Sequence, residues 1–281
     1  MSLGIDLRFG PSGWDHPRWD KLIYPRPQPR GFHPLEFLAD RFSTVEICAT
    51  SHSFLRPELA RLWMTRVAHN PSFVFTARMP LRFSTERRME SEAIKDFKQG
   101  MRPLLERGML GCLLMQFPWG FRFNAENRAF VISLRRAFHE FPLAAELLHD
   151  SWTAQEAIGT MIDYHIGFCN IDQPSSDHAM PPSAYLTTNI GYVKLSGRKH
   201  GPRAADYLYT MPELLEWRMR IARIRRFADR TFVVFANAAG GKAVINALQL
   251  QALMDLEKRP EAPAAMVEKP TAPLPFAASA A

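Results

Sequence analysis

The 281-residue chain has little of what marks several large protein classes. It has only three cysteines, Cys48, Cys112 and Cys169, too few for a disulfide framework; each falls in an apolar stretch, where a free buried thiol is the ordinary state. No Cys/His spacing resembles a zinc site, and no metal ligands are assigned. No run of eighteen apolar residues is present, so no membrane span is expected. The opening residues Met1–Asp6 lack a basic stretch followed by an apolar one, so no secretory signal is expected and the setting is read as reducing and cytoplasmic. The Gly-x4-Gly-Lys phosphate loop is also missing, and no cofactor is implied.

What is present is 47% hydrophobic content, enough for a sizeable core, and a net charge of +7. That charge favours anionic partners, nucleic acid included, without establishing them. Much of it lies on helix-like stretches such as 218–226, where a solvated helix face is the plainer reading.

Eight short apolar runs read as strands: 6–10, 44–48, 72–77, 111–117, 143–147, 166–171, 191–196 and 231–236. Most are not strictly alternating, as strands covered on both faces should be. Helical spacing separates nearly all of them, at 33–42, 57–68, 90–106, 124–138, 151–164 and 211–227, with a further helix at 242–254. Eight such units with little left over predict a single α/β domain, a TIM (β/α)8-type barrel over residues 1–256. A doubly wound sheet is the rival. Residues 172–189 lack helical spacing and carry Pro174, Pro181 and Pro182, which predicts a long loop over one end of the barrel. Residues 257–281, rich in Pro and Ala, are expected to form a disordered tail.

Ligands of such barrels bind at the C-terminal ends of the strands, and this rule selects the candidate residues. Glu46 and Glu146 lie within apolar runs, where a carboxylate is expensive unless paired. They are read either as a general acid/base pair assisted by His149, or as structural partners of Arg78 and Lys194. His149 equally suits a capping role before Asp150 or Ser151. Gln116, Asp172 and Asn237 end other strands, and Trp14 belongs to an aromatic first loop that either stacks on a ligand or packs the loop down. Gly240, Gly241 and Lys242 form a glycine turn at a helix start, and Arg198 follows the seventh strand. Together they predict an anion site of the kind that barrels build from their last two loops; a glycine turn needed for geometry alone is the alternative.

Ser12-Gly-Trp14, Tyr24-Pro25, Phe42–Ile47, Gln116-Phe-Pro118, Glu146 with His149 and Ser151-Trp152, Asp172-Gln-Pro174, Tyr192–Leu195, Asn237–Gly241 and Asn246-Ala-Leu248 occur in an order that resembles the DUF72, or YecE-like, family. The resemblance runs from about Phe9 to Leu253 and implies a TIM barrel without giving a reaction. Against the family's usual motifs, Cys48 stands for an asparagine, Leu148 for an arginine and Ser196 for a histidine. Ala236 and Ala238 stand for an asparagine and an aspartate, and a Phe-Tyr pair is replaced by Ser51-His52. These departures imply a divergent member. The expected function is binding of a small anionic ligand, a phosphorylated sugar or nucleotide-like compound, at the barrel mouth, with hydrolase or isomerase chemistry by the carboxylates. The alternative is a non-catalytic binding module, associated with nucleic acid, that has lost the family's chemistry.

Overall fold

The computed structural model describes residues 6–16, 19–201 and 205–256. The segment 257–281, read above as a tail, lies outside them. In chain order the elements are β1 (Asp6–Pro11), α1 (Trp19–Leu22), α2 (Pro34–Ala39), β2 (Thr44–Ile47), α3 (Pro57–Arg66), β3 (Val74–Arg78), α4 (Leu81–Ser84), α5 (Ser91–Glu106), β4 (Leu110–Gln116), α6 (Ala125–Ala137), β5 (Leu143–Glu146), α7 (Gln155–Asp163), β6 (Gly167–Asp172), β7 (Ile190–Leu195), α8 (Met211–Arg225), β8 (Arg230–Phe235) and α9 (Lys242–Leu256). All eight strands match the expected runs to within two residues. The short helices α1 and α4 lack the length that periodicity needs to show itself, and the sequence reading omitted them.

The strands form one parallel sheet in the order β1-β8-β7-β6-β5-β4-β3-β2. The sheet curls until β1 and β2 meet. There the ladder shortens to a parallel bridge between Ser12 and Glu46 and one bond from the Gly13 N–H to the Glu46 carbonyl, 2.9 Å. Gly10 makes this approach possible: a Cβ at that position would lie 1.8 Å from the Thr44 carbonyl oxygen. The curled sheet is the predicted TIM-type barrel, and the rival open sheet is excluded.

Local chemistry sets the helix boundaries. Pro34 and Pro57 occupy first helical positions, where the missing N–H costs nothing. Asn124 caps α6 by accepting from the Asn127 N–H at 2.8 Å. Thr210 and Glu213 form a capping box that starts α8. Trp217, Ile221 and Ile224 then face the core, with no more than 1% of their surface exposed. Among the described residues no helix is long and apolar enough to cross a membrane.

The segment between β6 and β7 is tied down by a buried amide. The Asn170 Nδ2 group donates to the Tyr185 carbonyl at 2.9 Å, and its Oδ1 accepts from the Ser183 hydroxyl at 2.8 Å and the Tyr185 N–H at 2.7 Å. The loop predicted for residues 172–189 is thus held from below by the strand it leaves.

Gly10→Ala should destabilise the protein by about 3 kcal/mol, because the added methyl meets backbone and not a movable side chain. Urea unfolding measures this, and a loss under about 1 kcal/mol would mean that the seam between β1 and β2 has slack.

Candidate functional site

Alternation along β2, β3 and β7 turns Glu46, Thr76, Tyr192 and Lys194 into the barrel. The proof is direct, since the Tyr192 hydroxyl donates to Glu46 Oε2 at 2.9 Å and lies 3.2 Å from Thr76 Oγ1. Glu46 has no exposed surface. Its Oε1 accepts from the Ser12 hydroxyl at 2.5 Å and from Arg78 Nε at 2.7 Å, and its Oε2 lies 3.4 Å from the Lys194 ammonium. Lys194, only 2% exposed, reaches on to Glu146 Oε2 at 2.8 Å. Gln116 donates to that same oxygen at 2.7 Å. Arg78 also donates from its second nitrogen to Ser12 Oγ at 2.6 Å, and the Cys48 thiol lies 3.0 Å from that hydroxyl.

Two carboxylates and two cations therefore share one cluster at the C-terminal ends of β2, β3, β5 and β7. Burial alone would raise the Glu46 carboxyl, but the Arg78 guanidinium, the Lys194 ammonium and the Ser12 hydroxyl outweigh it and hold the group at about 2. For Lys194 burial opposes the charge, and Glu146 and Glu46 override it, so its pKa is raised. Burial pushes the Tyr192 phenol and the Cys48 thiol up, with Glu46 adding to both, so each stays protonated. Glu46 is thus a fixed anion and a poor base. At Glu146 both side-chain partners converge on Oε2, Oε1 receives neither bond, and the side chain keeps 10% of its surface open.

Of the residues selected from sequence, the structure brings together Glu46, Arg78, Gln116, Glu146 and Lys194. It adds Ser12, Cys48, Thr76 and Tyr192, which sequence reasoning did not place in the site. Tyr192 was detectable, because it stands two residues before Lys194 on the same strand and so shares its face.

The other candidates lie elsewhere. Asp172 points outward from β6 and is gripped by Trp217 Nε1 at 2.6 Å and by Arg198 Nε at 3.0 Å. Arg198 also pairs with Glu213 at 3.0 Å, so its charge fastens α8 to β6. The Asn237 amide donates to the Tyr207 carbonyl at 2.8 Å and to Asn246 Oδ1 at 3.0 Å, joining β8 to α9. Lys242 pairs with Asp206. Gly240 and Gly241 have φ of 63° and 74°, and a Cβ on Gly241 would meet the Ile23 side chain at 2.3 Å. The glycine turn therefore seats the first loop, which Trp19 Nε1 secures by donating to the Ala238 carbonyl at 2.7 Å. Trp14 packs edge-on against Trp63, with ring centroids 4.9 Å apart. His149 caps the 3-10 turn after β5, its Nδ1 accepting from the Ser151 N–H at 3.1 Å.

The folded-state pKa of Glu46 is depressed, so its stabilising contribution is complete above the ordinary carboxyl value of 4.5 and is lost as pH falls towards about 2. Glu46→Gln leaves Arg78 and Lys194 short of a partner and should cost about 3 kcal/mol at neutral pH. The gap between the two proteins should shrink as pH falls through that window. Urea unfolding at stepped pH values reads it, and a gap that stays constant would show that Glu46 is not charged in the fold.

The matching family model is described as "Protein of unknown function DUF72" and covers residues 8–270. The UPF0759 protein YunF of Bacillus subtilis (strain 168) is 24% identical over 274 residues, spanning 89% of this chain and 95% of that protein. A crystal structure of a DUF72 family protein from Thermotoga maritima superposes with a TM-score of 0.76 at 26% identity, over 89% of this chain and 99% of that one. A DUF72 family protein from Enterococcus faecalis V583, 22% identical, gives a TM-score of 0.77 over 89% of this chain and 95% of that one, which supports the fold. The barrel, its ordered motifs and a family match over nearly its whole length lead to one conclusion: this chain belongs to the DUF72 family.

Proposed function

We propose that the barrel mouth binds a small ligand carrying an anionic group, of the phosphorylated-sugar or nucleotide-like kind, and performs proton-transfer chemistry on it as a hydrolase or isomerase. One observation carries this reading: Glu46, Arg78, Lys194 and Glu146 form a buried charged cluster at the end of the barrel where ligands of this fold bind. Apolar side chains of similar volume would fill that space at no electrostatic cost, so a cluster of this kind is a candidate for function before stability.

The two carboxylates take different roles. Glu46 is the permanent anion that keeps Arg78 and Lys194 charged and oriented. Glu146 is the proton carrier, since one of its oxygens is left unengaged by Gln116 and Lys194. Arg78, with 22% of its side chain exposed, is the cation best placed to meet a ligand's anionic group. Lys194 lies deeper and stabilises charge that develops on the ligand. The three free thiols fit a reducing, cytoplasmic setting for this chemistry.

The nucleic-acid reading draws on the net charge of +7. Several basic residues are paired with neighbouring carboxylates, as in Arg66–Glu36, Arg87–Glu126 and Lys98–Glu140, so the excess charge is carried by others.

A thermal-shift screen with inorganic phosphate, sugar phosphates and nucleotides should raise the melting temperature for at least one compound, and Arg78→Ala should abolish that rise. On any substrate so found, Glu146→Gln should lower kcat by about a hundredfold or more with little change in the shift. Full turnover in Glu146→Gln would remove the acid/base assignment. Oligonucleotide binding that weakens steeply with salt, with no shift from the small compounds, would favour the binding-module reading instead.

A further inference from the structure

The charged cluster has an aromatic neighbour on the barrel rim. Trp19, Trp152 and Trp217 have no exposed surface and Trp63 has 7%, whereas Trp119 keeps 43% of its surface open. Trp119 stands in the turn after β4, three residues past Gln116, whose amide donates to Glu146. On one side β4 adjoins β3, with Leu114 in register with Arg78; on the other it adjoins β5, with Gln116 in register with Glu146. The tryptophan therefore belongs to the same edge of the barrel as both charged groups.

The turn is built to hold this ring outward. Phe117 and Phe121, two residues to either side, are buried and stack with centroids 4.2 Å apart and 13° between planes. Phe121 in turn lies on Trp152, with 7° between planes, and its carbonyl accepts from Trp152 Nε1 at 2.8 Å. The Phe121 N–H donates to the Pro118 carbonyl at 2.9 Å and closes the turn. With both neighbours fixed inward, Trp119 is presented to solvent by a well-anchored loop. One flank of the indole is braced, because the His149 ring lies 5.4 Å from it at a tilt of 58°. His149 is stacked on His178, which pairs with Asp150 at 3.2 Å.

A cation stands over the same indole. The guanidinium carbon of Arg122 lies over the Trp119 ring, 5.9 Å from its centroid. Arg122 is exposed, and its guanidinium has no carboxylate partner among the described residues. Two ring contacts of about 3.5 Å need roughly 7 Å, so a shift of about 1 Å by the Arg122 side chain admits a flat ring between guanidinium and indole. An aromatic face on one side and a planar cation on the other favour a flat π-system. A puckered sugar ring has no π-face to offer the guanidinium.

We propose that Trp119 and Arg122 form a stacking slot for a nucleobase, so that the ligand of the mouth is a nucleotide and not a sugar phosphate. This inference rests on the reading of the mouth as an anion site: Arg78 would take the phosphate and Trp119 the base. Stacking of this kind is tolerant of base identity, so the slot selects for an aromatic ring more than for one particular base. Held at both ends, the ligand would be positioned against Glu146 between them.

Calorimetric titration of the full chain with inorganic phosphate, ribose 5-phosphate and the four ribonucleoside 5′-monophosphates tests the slot. At least one nucleotide should bind about 10-fold or more tighter than ribose 5-phosphate. Trp119→Ala should close that gap, and Trp119→Phe should keep most of it. The side chain is half-exposed, so neither change should unfold the protein; far-UV circular dichroism checks this. Arg78→Ala should weaken binding of nucleotide and ribose 5-phosphate alike. Ribose 5-phosphate binding as tightly as every nucleotide, or a gap that survives Trp119→Ala, would overturn the slot and leave the anion reading of the mouth standing. No binding by any of these compounds at millimolar concentration would overturn both.

Discussion

A carboxylate with no exposed surface, Glu46, is the constraint around which the interior is arranged. An isolated anion in that position would be intolerable, so the fold surrounds it with Ser12 from the end of β1, Arg78 from β3, and Tyr192 and Lys194 from β7. These groups approach from three different strands. The ring of parallel strands is therefore more than a scaffold that happens to hold a charge: it is the arrangement that lets so many separate segments touch one side chain. Because Lys194 is shared, the requirement passes on to Glu146, and through it to Gln116.

Charge elsewhere in the chain serves assembly. Arg198 joins Asp172 to Glu213, Lys242 joins Asp206, and Arg230 meets Asp6 at 2.5 Å, so strands, loops and helices are locked together. The mouth itself is balanced, two anions against two cations. In the proposed function, recognition there would depend on how an incoming group rearranges existing pairs, not on a net positive field. That distinguishes it from a phosphate cradle at a bare helix N-terminus, which the glycine turn before α9 resembles only in sequence.

The strands were legible because β-branched and aromatic runs bounded by turns have few other uses, and the barrel followed from their number and alternation with helices. Glu46 and Glu146 stood out for the same reason that they matter, since charge is conspicuous inside an apolar run. What the sequence hid were partners. Tyr192 and Glu46 are 146 positions apart, and only closure of the sheet makes them neighbours. Arg198 and Lys242 looked available because Arg198 itself, and Asp206 that engages Lys242, lie between regular elements, where periodicity sets no direction. His178 sits in a stretch without regular structure, so its approach to His149 and Asp150 left no pattern to read.

The barrel seam adds a last consequence. Where β1 meets β2, the bridge runs through Glu46 itself, with its carbonyl holding Gly13 and its carboxylate holding Ser12. One residue thus serves both the seam and the charged cluster. A lineage modifying this protein can vary the neighbours of that residue and so reshape the cavity by small steps. Replacing the Glu46 side chain would strip Ser12, Arg78 and Lys194 of a common partner at once, which channels change to the rim.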